Sequence, residues 1–205
     1  MAISSRVWSM PLVDFRDAIV SRAAPGCGAA AAAAADVGLA LVMKGLRVSQ
    51  ARQHDARRTA LTEQAQALLH TLGRHAEQDM DAFEGYLNAT QLPRDSRAQQ
   101  QEREQAVAEA AVRINDIPLA TAETCLEALT LATEALPLTA ASLRSDVVAG
   151  GFLLHAGLSA VLLNVDANLA SLDDGDRRDQ ARRERLALQQ EADRRYRVLQ
   201  QADVS

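Results

Sequence analysis

The chain has 205 residues, with 22 basic and 27 acidic side chains and a formal net charge of −5. That length suits one domain with a substantial core, and the charge balance excludes a general attraction to nucleic acid or anionic lipid. Aromatic residues make up only 3% of the chain, while Ala, Leu, Arg, Gln and Glu, all good helix formers, dominate; this predicts an all-α fold, a single helical domain over residues 1–205.

In chain order, residues 11–23 read as a short first helix with Leu12, Phe15 and Ile19 on one side. Pro25-Gly26-Cys27-Gly28 breaks it, and the alanines from Ala29 to Ala35 lead into a second, mostly buried helix ending near Met43. A Gly-rich turn entering a helix is either an anion-binding N-terminus or a tight interhelical connection. Residues 44–54 turn polar and read as a helix end or loop. A long helix follows from about Asp55 to Thr90, with Leu61, Leu68, Leu72, His75, Met80, Phe83 and Leu87 inward. His75 and Asp79 are four apart, which suits either a metal pair or a satisfied polar pair; no third ligand is in register. Ser96 caps a helix over 97–115. Pro118 is expected to break or kink it, since a proline disfavours helix in the residue before it. A further apolar helix runs from Thr121 to Leu136, and a charged one over 177–201 has Leu186, Tyr196 and Leu199 as anchors.

The stretch from Ser145 to Leu169 is long, apolar on most sides and free of proline, so it is expected at the centre of the domain. Asp146, Gly150, Gly157, Asn164 and Asn168 fall near one stripe of it. The stripe is either the floor of a groove or a face for close helix packing; Gly150 and Gly157 suggest approach to the helix of a second copy, hence a homodimer. Val147 to Val165 has the length of a membrane span, but His155, the glycines and Asn164 argue against one. Cys27 and Cys125 are too few for a disulfide framework and are expected to be free thiols. The N-terminus lacks the layout of a signal peptide, so a soluble cytoplasmic protein with no membrane and no nucleic-acid partner is expected.

Three blocks in this order resemble the methenyltetrahydrofolate cyclohydrolase / formiminotetrahydrofolate cyclodeaminase family. They are Ala24-Pro25-Gly26-Cys27-Gly28 before the alanine helix; Asp79-Met80-Asp81-Ala82-Phe83 followed by Leu92-Pro93; and Ser145-Asp146-Val147 followed by Leu163-Asn164-Val165 and Asn168-Leu169. Ile117-Pro118 and Cys125-Leu126 also sit where the family has similar sequence. The likeness covers roughly residues 12–173. Cys27 stands where the family has glycine, a residue suited to positive φ. Leu46 to His54 lacks the family's Gly-Lys-x-Lys-Tyr, Thr139 to Ser142 replaces its Gly-Asn-x-Asn, and Arg144 replaces an aliphatic residue.

The resemblance implies a homodimeric helical bundle acting on tetrahydrofolate one-carbon units, with the folate derivative as substrate and no metal or other cofactor. The implied reaction is hydrolysis of 5,10-methenyltetrahydrofolate to 10-formyltetrahydrofolate. The alternatives are formiminotetrahydrofolate cyclodeamination with release of ammonia, and a non-catalytic helical dimer that binds folate or a partner. Water attack on the cationic carbon needs a carboxylate as base, and Asp146 and Asp79 are the candidates. Asp146 has the larger claim from sequence, because a carboxylate at a helix start stays ionised; its other reading is a first-turn acid. Pro25, Gly26, Cys27 and Gly28 would hold the glutamate tail, and Ser145, Asn164 and Asn168 would contact the substrate. Asp146 and Asn164 are about 27 Å apart along a straight helix. They serve either opposite ends of an extended ligand or sites shared across a two-fold axis.

Overall fold

The computed structural model describes residues 6–172 and 174–203. Seven helices account for the fold, and no strand occurs among the described residues: α1 (Arg6–Ser9), α2 (Leu12–Ser21), α3 (Cys27–Arg52), α4 (Ala56–Thr90), α5 (Arg97–Ala135), α6 (Arg144–Asn168) and α7 (Gly175–Gln200). The all-α expectation holds. Local chemistry explains the boundaries. Asp55 accepts from the backbone N–H groups of Arg57 and Arg58 at 2.8 and 3.1 Å, which satisfies donors that the first turn of α4 leaves open. Ser96 and Gln99 form a reciprocal capping box at the start of α5, and Asp174 caps α7 in the same way as Asp55.

Two expected interruptions do not occur. The polar residues 44–54 continue α3 to Arg52: Lys44 and Arg47 are exposed, but Gly45, Leu46 and Ser49 are buried, so the helical period persists with a polar outer face. Pro118 lies inside α5, which is unbroken from Arg97 to Ala135. Proline has no N–H to give to the carbonyl four residues back. Here that carbonyl, on Ile114, accepts instead from Asn168 Nδ2 at 2.8 Å. A side chain from α6 thus supplies the hydrogen bond that α5 lacks.

The centre of the bundle is the crossing of α3 and α6. A Cβ on Gly150 would lie 2.4 Å from the Gly38 carbonyl oxygen, and one on Gly157 would lie 2.8 Å from that of Ala31. Both are shorter than any carbon–oxygen contact a side chain tolerates, so only glycine lets these backbones meet. This corrects the expectation from sequence: Gly150 and Gly157 approach α3 of the same chain, not a second copy, and the middle of the stripe is packed rather than open. Both helices are long and apolar enough to cross a membrane, yet Leu39, Val42, Leu46, Val147, Leu154, Leu158, Leu162 and Val165 are fully or almost fully buried inside the bundle. At about 25 cal/mol per Å² of apolar surface, such burial is the main favourable term for the fold.

α7 lies on α5 and α6 through Ala181, Ala192 and Leu199, which are buried; Leu186 points outward. Tyr196 stacks on the His155 ring at 4.3 Å, and His155 Nε2 meets Asp193 Oδ1 at 2.8 Å. At the N-terminus Phe15 joins a small cluster with Val7 and Met80 and Ala18 is also buried, whereas Leu12 and Ile19, expected inward, face out. Trp8 Nε1 donates to the Gly73 carbonyl at 3.0 Å and ties α1 to α4.

Candidate active site

At one end of the α3–α6 crossing lies a pocket of about 270 Å³. Its polar residues come from three helices: Cys27 from the start of α3, Asp79 from α4, and Asn164 and Asn168 from the end of α6. Phe83, Ile114, Ile117 and Pro118 form its apolar walls, and Ala23, Ala24 and Gly26 its rim. The spacing of four between Asn164 and Asn168 places both on one face of α6.

Asp79 is the centre of the arrangement. Its Oδ2 accepts from the backbone N–H of Ala29 at 3.0 Å, one of the open donors in the first turn of α3. Gly28 makes that approach possible: a Cβ there would fall 1.9 Å from Asp79 Oδ1. Burial pushes the Asp79 carboxyl above its ordinary range; the Ala29 N–H and the Asn164 side chain hold the charged form and offset part of the rise. The result is a carboxylate more basic than usual, partly desolvated and fixed in place.

Cys27 is the first residue of α3 and its Sγ lies 3.4 Å from the Ala160 carbonyl. No described residue, glycine or otherwise, has a positive φ, so the cysteine in place of the family's glycine carries no backbone strain. Burial, and then the charge of Asp79, push its thiol up, which keeps it protonated and a weak nucleophile. Cys125 is fully buried and its thiol is pushed up to about 12.

The structure thus unites five of the expected site residues, Gly26, Cys27, Asp79, Asn164 and Asn168, and holds Gly28 directly behind Asp79. Pro25 is buried and outside the pocket lining. Asp146 is elsewhere. It sits in the first turn of α6, at the far end of that helix, where its Oδ2 pairs with Lys44 Nζ at 2.7 Å; Ser145 beside it is exposed. The two candidate carboxylates do not share a pocket in one chain. His75 and Asp79 do not meet either: the His75 ring is hydrogen-bonded to Gln78 and to Thr124, and no group of three potential metal ligands occurs among the described residues. The apolar wall from α5 went unassigned in the sequence, although Ile117-Pro118 was visible there as a matching dipeptide.

Residues 11–187 match the family model described as formiminotransferase-cyclodeaminase. Over 188 residues the chain is 35% identical to the pig protein named formimidoyltransferase-cyclodeaminase, a match covering 89% of this chain and 35% of that protein, so the chain spans about a third of that relative. It is 29% identical over 165 residues to a methenyltetrahydrofolate cyclohydrolase of Methylorubrum extorquens, covering 78% of this chain and 79% of the relative. The fold is that of a formiminotetrahydrofolate cyclodeaminase from Thermotoga maritima, at a TM-score of 0.83 and 18% identity over 95% of this chain and 96% of the other. With more than half its length inside the family model, the chain belongs to the formiminotransferase-cyclodeaminase family.

Proposed function

We propose that the protein hydrolyses 5,10-methenyltetrahydrofolate to 10-formyltetrahydrofolate, with Asp79 as the catalytic base. The observation that carries this reading is the Asp79 carboxylate: it is partly buried in a pocket of ring-sized volume, raised in basicity, and gripped by the start of α3. The substrate carries a positive carbon between two nitrogens. A carboxylate facing that carbon stabilises the cation and takes a proton from the attacking water. The C–O bond forms first. The bond from carbon to the ring nitrogen then breaks, that nitrogen takes up one proton, and the other proton of the water leaves to solvent. Protonated Asp79 is placed to return the proton it took. No cofactor beyond the folate substrate is needed, and the reaction is placed in the cytoplasm.

Cyclodeamination is the second reading, favoured by the pig relative's name. There a substrate nitrogen attacks the formimidoyl carbon, and Asp79 would carry a proton to the departing ammonia. One absorbance experiment separates the two: purified protein should accelerate the loss of added methenyltetrahydrofolate, whereas a cyclodeaminase would generate that absorbance from formiminotetrahydrofolate. Acceleration of neither leaves the non-catalytic binder as the correct reading.

The homodimer is proposed on a different face from the one the glycines suggested. Leu12 and Val20 on α2 are each 83% exposed, and Val13 and Val37 are also exposed. Large aliphatic side chains this open suit an isologous contact with a second copy.

A further inference from the structure

The pocket's two asparagines have opposite ends with different duties. Ile114 O can only accept, so the Asn168 atom that lies 2.8 Å from it is the amide nitrogen. One of its two N–H groups is committed there because Pro118 has no N–H to offer the same carbonyl. The backbone carbonyl of Asn168 is held as well, by Asn115 Nδ2 at 3.3 Å and Ser171 Oγ at 2.6 Å. Rotation of the Asn168 amide would set oxygen against oxygen. Its Oδ1 is therefore the atom left to the pocket. Asn164 repeats the pattern one turn earlier. Its amide lies against the Asp79 carboxylate, to which only an N–H end is complementary, and its Oδ1 is left over. The Cys27 thiol hydrogen is directed to Ala160 O.

We infer that Asn168 is a specificity-determining residue whose Oδ1, with the amide held in one orientation by Ile114, reads an N–H donor on a flat ring. This rests on the folate reading of the site. In a tetrahydrofolate the matching group is the 2-amino and N3–H edge of the pterin ring. The cationic one-carbon bridge of methenyltetrahydrofolate carries no N–H, so it does not compete for that position. Asn164 and Asn168 are one helical turn apart, about 6 Å between Cβ atoms, comparable to the length of the fused ring. Asn168 at the amino edge then leaves Asp79 and Asn164 beside the one-carbon bridge. Pro118 becomes a positioning residue: by withholding a backbone donor it locks the amide of Asn168 in one orientation.

Calorimetric titration tests this with 5-formyltetrahydrofolate and its counterpart in which the 2-amino group is replaced by methyl. The methyl compound should bind at least about tenfold more weakly, the scale for leaving a buried acceptor unpaired. In Pro118→Ala a restored N–H can serve Ile114, so the amide of Asn168 is free to turn, and the discrimination should shrink several-fold while the melting temperature holds or rises. Equal binding of the two compounds by the unaltered protein overturns the inference and leaves the folate reading intact. If neither compound binds, the folate reading fails, and the fragments 2-aminopyrimidin-4-one and pyrimidin-4-one decide the role of the Asn168 Oδ1 by saturation-transfer NMR. Preference for the amino fragment supports it; no preference overturns it.

Discussion

Asp79 and Gly28 act as one unit, and substitutions at each should show it. Asp79→Asn keeps an oxygen for the Ala29 N–H but removes the basicity, so turnover should fall at least about a hundredfold with the fold retained. Gly28→Ala leaves the carboxylate present but displaces it, because the new Cβ would sit 1.9 Å from Oδ1; its turnover should fall comparably, whereas a value near that of the unaltered protein would remove Asp79 from the mechanism. Since the carboxyl is raised, kcat/KM should climb with pH through that raised value, as the base becomes ionised. Stability runs the other way: the folded state binds the proton more tightly than the unfolded chain, so stability falls as pH rises across the same window. Asp36, on α3 in a separate groove beside Trp8, offers a cleaner case. Burial raises its carboxyl to about 6. A shift of that size is at most about 3 kcal/mol, reduced to roughly 1–2 kcal/mol by partial exposure. Asp36→Asn should therefore raise the melting temperature at pH 7 and make no difference near pH 4. Equal effects at both values would show that the charge is not what Asp36 costs the fold.

At the scale of elements, the sequence was readable wherever a helix announces itself by period and cap. Asp55 and Ser96 marked their helices, and the central position of α6 followed from its apolar surface. It was unreadable where one element completes another. Pro118 looked like a break because the hydrogen bond that repairs α5 comes from Asn168, fifty residues later in the chain. Gly150 and Gly157 were recognised as sites of close approach, but nothing local says which backbone approaches. The separation of the two carboxylates was equally hidden: a helix start favours a carboxylate such as Asp146, while the convergence of α4 and α6 on the start of α3, around Asp79, is tertiary. The two glycines should now be separable by experiment. Alanine at either forces α3 and α6 apart and should cost about 1–3 kcal/mol. Gly157 meets Ala31, two residues from the N–H that holds Asp79, so Gly157→Ala should also lower turnover about tenfold or more, the scale at which misplaced catalytic groups lose rate. Gly150 meets Gly38, two turns further along α3 from Gly157's contact, and Gly150→Ala should spare turnover in the folded fraction. Equal losses of turnover would mean that the crossing moves as a rigid whole.

At the scale of the whole molecule, the placement of the two carboxylates decides whether one chain holds a complete site. The 25 residues of α6 span about 37 Å, with Asn164 and Asn168 at one end and the Lys44–Asp146 pair at the other. In the single chain Asp146 faces no pocket shared with Asp79. Its pairing with a half-exposed lysine is worth about 0–1 kcal/mol. If the chain is self-sufficient, Asp146→Asn should change turnover by less than about threefold, since no reacting atom faces it. The proposed dimer permits the opposite result, because a two-fold axis can carry one chain's Asp146 to the other chain's pocket. Two measurements decide between these arrangements. Leu12→Asp with Val20→Asp should convert the protein to a monomer in light scattering, and a self-sufficient monomer should keep its turnover. A shared site instead predicts an inactive monomer, an inactive Asp146→Asn protein, and recovery of activity when Asp146→Asn and Asp79→Asn chains are unfolded, mixed and refolded together. That recovery would be possible only if a dimer of the two variants assembles one pocket with both native carboxylates. Its absence, together with an active Asp146→Asn protein, assigns the whole reaction to the α3–α4–α6 pocket of one chain.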